Sequence, residues 1–197
     1  MTKPLRFKAY FFDLDGTLVD SKLDFDQMRE AIGIPQNEPI LEYLEKHPDP
    51  EFVKRGHELV RHFELIGAQC ATWIPGAKEL LIELNKSKIP TAILTRNSRE
   101  VAQLTIDSLE IPITHFLTRD DCLPKPHPEG LHLLAKRFSL PTSDTIYIGD
   151  YLFDLQTAKA AGATAALYTA GTQSPFANDA DLVIECFINW SQHLVVN

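Results

Sequence analysis

The sequence predicts an α/β protein with a doubly wound, mostly parallel sheet and a small helical cap, and three observations predict it. From Pro75 onward, short β-rich apolar runs alternate with amphipathic stretches, joined by brief Gly, Pro, Asn and Asp connections. Near the start, the run from Phe7 to Phe12 ends abruptly in Asp13-Leu14-Asp15-Gly16-Thr17, as a buried strand does when it gives way to a loop. Between these regions, residues 21–74 carry helical periodicity and no β-rich run. Residues 1–20 and 75–197 are therefore expected to form the core, with residues 21–74 inserted as the cap after the first strand.

Each element has its own local reason. Phe25, Met28 and Ile32 recur at helical spacing until Gly33 and Pro35 stop them. Ile40 to Leu44 is a second short helix, closed by Pro48-Asp49-Pro50. From Glu51 the apolar positions Phe52, Val53, Leu59, Val60, Phe63 and Ile66 mark a longer amphipathic helix ending near Gly67, with His57, Arg61 and His62 on its exposed face. Pro75 precedes a helix through Leu80, Leu81 and Leu84 with a cationic end at Lys86 and Lys88. The remainder reads as strand 91–94, helix 99–109, strand 114–117, helix 129–138, strand 145–148, helix 152–161, strand 163–168 and a last strand 182–184. Right-handed crossovers between such units make a parallel sheet.

Composition bounds the function. The 197 residues, 44% hydrophobic and 23% charged, suffice for one full core and an appendage, and no internal repeat is present. A formal net charge of −8 argues against nucleic acid as the main partner, although local positive charge can still bind a small phosphorylated metabolite. Cys70, Cys122 and Cys186 are odd in number and lack C-x-x-C spacing, so they are expected to be buried small hydrophobes in a reducing compartment rather than zinc ligands or disulfides. The N-terminal apolar run is cut by Lys8 and ended by Asp13, too short for a signal peptide or a membrane span, and a cytoplasmic setting with no membrane partner is expected. Oligomeric state is left open.

The chemistry-bearing residues fall at strand ends. Asp13 and Asp15 follow the first strand; taken alone, such a pair could be a solvated turn. Strand 91–94 delivers Thr95, with Arg96 and Asn97 behind it; the loop after Leu117 carries Lys125; strand 145–148 delivers Gly149, Asp150 and, one helical turn on, Asp154. In a parallel sheet these ends share one edge, so the six residues Asp13, Asp15, Thr95, Lys125, Asp150 and Asp154 are expected to meet in one crevice. Carboxylates with a hydroxyl and an ammonium suit a hard cation and a phosphoryl group.

This order of motifs closely resembles the haloacid dehalogenase superfamily over nearly the whole chain, in Asp13-Leu14-Asp15-Gly16-Thr17, Thr95, Leu123-Pro124-Lys125-Pro126 and Gly149-Asp150-Tyr151-Leu152-Phe153-Asp154. Pro75-Gly76-Ala77 and Ala160-Ala161-Gly162 look like the phosphoglycolate phosphatase-like branch, with a helical cap between the first two motifs. The resemblance implies that Asp13 is a nucleophile forming an aspartyl-phosphate and that Asp15 is the general acid and base. It also implies Mg²⁺ on Asp13, Asp150 and the backbone carbonyl of Asp15, with Asp154 approaching the metal or orienting Lys125, and Thr95 and Lys125 binding the phosphoryl group. With a phosphate dianion added to so many carboxylates, Asp15 is expected to take up a proton on substrate binding.

Other readings compete for the same residues. Arg96 joins the phosphate binders, gripping a second anionic group, or else forms an ion pair with an acidic neighbour. Asn97 is expected at or near the N-cap of the next helix, His127 has an even claim to a positioning role and none, and Asp120-Asp121 reads as a solvated turn. A receiver domain would put its phosphoacceptor on a later strand, and a dehalogenase has no need of Asp15 as an acid. A phosphomutase or a non-catalytic binding protein remain as alternatives, and the choice among phosphoglycolate, nucleotide, sugar phosphate and pyrophosphate lies in the cap.

Overall fold

The computed structural model describes residues 7–188 and 190. Six parallel strands form one sheet: β1 (Ala9–Phe12), β4 (Thr91–Leu94), β5 (Phe116–Leu117), β6 (Thr145–Gly149), β7 (Thr164–Tyr168) and β8 (Leu182–Ile184), in the spatial order β5-β4-β1-β6-β7-β8. The chain winds from β1 outward through β4 to β5, then returns to the other side of β1 and continues through β6 to β8. That reversal beside β1 leaves a crevice at the carboxyl ends of β1, β4 and β6.

Strand alternation sorts the core into two layers. Tyr10 and Phe12 face one side with Leu80, Leu81 and Leu84 of helix α4 (Ala77–Lys86) and Ala102 and Ile106 of α5 (Arg99–Ser108). Ala9 and Phe11 face the other side with Leu131 and Leu134 of α6 (Glu129–Arg137) and Leu155 and Ala158 of α7 (Leu152–Ala161). All four residues of β1 are buried, which is why it reads as a continuous apolar run.

Helices α1 (Phe25–Ile32), α2 (Ile40–Lys46) and α3 (Pro50–Cys70) lie between β1 and β4 and bury a separate cluster of Met28, Ile32, Ile40, Leu44 and Val60. Asp24 caps α1 through the Gln27 amide at 2.9 Å, and Asp49 caps α3 through the Glu51 amide at 3.0 Å, with Pro50 in the first turn. Helix α3 runs past Gly67 to Cys70, because Gly67 packs against the Ser21 carbonyl and Leu23 inside the helix instead of ending it. Phe25, expected on the buried face of α1, is half exposed. Two short strands without a sequence signal, β2 (Val19–Asp20) and β3 (Thr72–Trp73), pair antiparallel where the chain leaves and re-enters the core.

Several expectations need correcting. Strand β5 keeps only Phe116 and Leu117 of the expected 114–117, at the edge of the sheet beside β4. Cys70 and Cys186 are exposed and only Cys122 is half-buried; Cys70 lies on the open face of the last turn of α3, where helical periodicity returns it to solvent. Asp120 and Asp121 lie in an exposed turn as expected, and they are hydrogen-bonded as well: Asp121 accepts from the Thr118 hydroxyl at 2.6 Å and the Arg99 guanidinium at 2.6 Å, and Asp120 accepts from the Arg99 amide at 2.7 Å.

Ion pairs join the helical insert to the strand-end loops. Arg119, after β5, holds both oxygens of Glu64 on α3 at 2.6 and 2.9 Å and also donates to the Arg96 carbonyl at 2.7 Å. Arg61 pairs with Glu100 at 2.7 Å, but in open solvent. Burial decides their different worth. Arg119→Met leaves the buried Glu64 without its counter-charge and is expected to cost about 3–5 kcal/mol in urea-induced unfolding, while Arg61→Ala leaves the midpoint where it was. Equal shifts for the two variants would contradict this ranking.

Candidate active site

The first motif folds into a tight turn. The Leu14 carbonyl accepts from the amides of both Leu18 and Val19, at 2.9 and 3.0 Å, and the Asp13 amide continues the β1–β6 ladder by donating to Ile148 at 2.8 Å. Gly16 has φ of +76°, and a Cβ there would overlap the Asp150 carboxyl, so both the turn and the close approach of β6 need glycine. One strand along, a Cβ on Gly149 would overlap the Asp154 carboxyl.

Lys125 ties these pieces together. Its ammonium, 4% exposed, stands 2.8 Å from Asp13 Oδ1 and 2.6 Å from Asp154 Oδ1. Asp154 also accepts from the Tyr151 amide at 3.0 Å, and the Tyr147 hydroxyl, with one proton to give, lies between two acceptors, Asp154 Oδ1 at 3.1 Å and the Leu94 carbonyl at 2.7 Å. Asp154 is thereby committed to donors of the protein itself. Asp13 Oδ1 takes the Leu14 amide at 2.7 Å besides Lys125, and Asp150 has a single long contact, 3.5 Å from the Thr17 hydroxyl.

The second motif aims two polar groups at the same place. Thr95, buried at the end of β4, accepts the Asn97 amide at 3.1 Å and so keeps its hydroxyl proton to donate. Ser98, not Asn97, caps α5, through the Val101 amide at 3.4 Å. Asn97 instead turns its side chain inward and donates to Asp15 Oδ2 at 2.6 Å. Arg96 reaches Glu42 on α2 at 2.7 Å and lies 4.8 Å from the centre of the Phe153 ring.

Burial sets the electrostatics. Dehydration, reinforced by the Asp154 and Asp150 charges and opposed by Lys125, raises the Asp13 carboxyl well above the usual carboxylate range. Dehydration also raises Asp15, against the hydrogen bonds that favour its ionised form. Asp150 is pushed up to about 6 by burial and then by Asp154. Lys125 goes up because its two carboxylates outweigh the dehydration that would lower it. The carboxylate oxygens of Asp13, Asp150 and Asp154 come within 4.8 Å of one another, an all-oxygen set that could hold a hard cation. The Asp15 side chain is outside that set. All six strand-end residues, with Arg96, line one cavity of about 520 Å³ between the sheet edge and the helical insert, whereas the exposed His127 does not.

Residues 21–168 match the family described as "Haloacid dehalogenase-like hydrolase". The chain belongs to the haloacid dehalogenase-like hydrolases. It is an enzyme of that class, and several of its relatives are named as phosphatases. It is 28% identical over 200 residues to hexitol phosphatase A of Escherichia coli, covering 91% of each chain. It is also 28% identical over 181 residues to a phosphoglycolate phosphatase of Pseudomonas savastanoi pv. phaseolicola, covering 79% of this chain and 66% of that one. Its fold is that of the crystal structure of a hydrolase from Pseudomonas syringae, with a TM-score of 0.78 at 23% identity, covering 94% and 96% of the two chains. Among the described residues, no helix is long and apolar enough to cross a membrane.

Sequence reasoning missed Tyr147, because a tyrosine inside an apolar strand carries no mark of its hydroxyl partners. Tyr147→Phe removes the one donor that Asp154 and the Leu94 carbonyl share and is expected to cost about 1–3 kcal/mol. A denaturation curve superimposable on that of the unsubstituted protein would show that the hydroxyl supports neither.

Proposed function

We propose that this chain is a Mg²⁺-dependent phosphomonoesterase acting on a small phosphorylated metabolite, with residues 1–20 and 75–197 supplying the chemistry and residues 21–74 acting as the cap that selects substrate. The observation that carries this reading is the contact of Lys125 with Asp13, 2.8 Å inside a cavity that Thr95 and Asp15 also line. A buried ammonium beside a carboxylate provides a nucleophile and a charge for the group it attacks.

In this reading Asp13 attacks phosphorus through the oxygen that Lys125 and the Leu14 amide leave free, and the phosphoryl group becomes bonded to Asp13. Thr95 donates its hydroxyl to a phosphoryl oxygen, and Lys125 opposes the charge on the transferred group. Asp15, held in the acid form to higher pH by burial, gives a proton to the departing alcohol. Once ionised, the same carboxylate takes a proton from the water that hydrolyses the aspartyl-phosphate. Asn97 fixes Asp15 in orientation by its 2.6 Å hydrogen bond. Asp154 holds Lys125 in place.

The donor set fits Mg²⁺. Asp150 has no strong protein donor, and its carboxyl is pushed up to about 6 in a cluster short of positive charge. Asp13 and Asp150 would hold the ion directly, with Asp154 behind them and the Asp15 backbone carbonyl alongside. Mg²⁺ supplies charge that keeps the carboxylates ionised and neutralises the phosphoryl oxygens. Treatment with EDTA is expected to abolish hydrolysis of p-nitrophenyl phosphate and added Mg²⁺ to restore it; full activity in EDTA would remove the metal from the proposal.

Asp15→Asn is expected to keep affinity for inorganic phosphate while lowering kcat for an alkyl phosphomonoester by about 10²–10⁴. Calorimetric titration and a phosphate-release assay separate the two effects. Unchanged kcat would overturn the acid–base role. The names of the relatives make a polyol phosphate and phosphoglycolate the natural starting substrates.

A further inference from the structure

The basic side chains that line the cavity are already engaged. Lys22 pairs with Asp20, and Arg29 pairs with Asp26 and donates to the Glu38 carbonyl. Lys125 lies between Asp13 and Asp154, and Arg96 is held by Glu42. Acidic side chains outnumber basic ones along the same wall. The Lys22 pair lies in open solvent and holds its lysine weakly, whereas Lys125 and Arg96, the shielded cations next to Thr95, are each neutralised by a carboxylate.

The Arg96–Glu42 pair spans the cavity beside the phosphoryl site. Arg96 follows Thr95 directly, while Glu42 comes from α2 on the facing wall, and their side chains are only 20% and 30% exposed. Phe153 covers the guanidinium from one side at 4.8 Å. Glu42 Oε1 takes the Arg96 donor, but Glu42 Oε2 is shut off from solvent and has no hydrogen-bond partner among the described residues. A carboxylate so enclosed keeps its charge turned on Arg96, and the cavity meets a guanidinium already neutralised.

We infer that the Glu42–Arg96 pair disfavours a leaving group that carries a second negative charge and so favours a neutral alcohol, such as a polyol or sugar. This rests on the phosphomonoesterase reading above. A carboxylated substrate such as phosphoglycolate could reach Arg96 only by displacing Glu42, which would then lie dehydrated without its counter-charge. A neutral alcohol leaves the ion pair intact. The cavity, at about 520 Å³, has room for an alcohol of several carbons beyond the phosphoryl group.

The test compares kcat/KM for sorbitol 6-phosphate and phosphoglycolate, with Mg²⁺ present and p-nitrophenyl phosphate as a substrate that carries neither hydroxyl nor carboxylate. The unsubstituted enzyme is expected to favour sorbitol 6-phosphate by about tenfold or more. Glu42→Gln removes the charge that neutralises Arg96, so the ratio is expected to move toward phosphoglycolate by about tenfold or more, through KM for the carboxylated substrate. Adding Arg96→Met to that variant is expected to remove the gain. A structural role for Glu42 would instead lower both substrates by one factor. If p-nitrophenyl phosphate is hydrolysed but phosphoglycolate is preferred by the unsubstituted enzyme, or Glu42→Gln leaves the ratio fixed, the inference about the leaving group is overturned and the phosphatase reading stands. If none of the three esters is hydrolysed, both fall.

Discussion

The ammonium of Lys125 lies 2.8 Å from Asp13 and 2.6 Å from Asp154 with almost no access to water, and no member of that trio could be buried alone. Meeting this condition dictates much of the surrounding architecture. Three chain segments, from the ends of β1 and β6 and the loop after β5, must arrive within hydrogen-bond reach of one another, which parallel strands winding both ways from β1 achieve. Gly16 and Gly149 carry no side chain because the carboxyls of Asp150 and Asp154 occupy that space. Tyr147 then serves a sheet position and the site together, its ring within the core and its hydroxyl on Asp154.

Much of the core was legible in the sequence because its signals are local and periodic. Strand β4, helix α7 and strand β8 fall where the apolar patterns end, and the strand-end residues Asp13, Thr95, Lys125 and Asp150 meet because parallel topology leaves them no other edge. What escaped was non-local or too short to have a period. Strands β2 and β3 have only two residues each, and Glu42–Arg96 and Glu64–Arg119 join positions 54 and 55 residues apart. Asn97 shows a further limit. Its place two residues before a helix suggests a position at or near the cap; Ser98 is the cap itself, and the Asn97 side-chain amide orients Asp15.

The helical insert contributes charge to the cavity in a form that composition conceals. A net charge of −8 suggests a surface hostile to phosphate, yet the cations that matter are few and individually assigned to carboxylates. Glu42 and Glu64 reach from α2 and α3 toward arginines of the strand-end loops, so the walls facing the phosphoryl site are joined by paired charge rather than by apolar contact alone. In the proposed function, selectivity would follow from which pairs a substrate leaves undisturbed and the chemistry from the Lys125 trio, so that the two could vary independently.

The central claim is that this trio prepares Asp13 to receive the phosphoryl group. p-Nitrophenolate departs without needing a proton, so Asp15→Asn should still be phosphorylated by p-nitrophenyl phosphate while lacking the base that activates water for the second step. Acid-quenching that variant with Mg²⁺ present and mapping its peptides by mass spectrometry is the most direct measurement. The account expects a phosphoryl group on Asp13, released p-nitrophenolate in matching amount, and neither when Asp13→Asn is added. Continued turnover by Asp15→Asn at the unsubstituted rate with no phosphorylated Asp13, or phosphorylation at another residue, would contradict it.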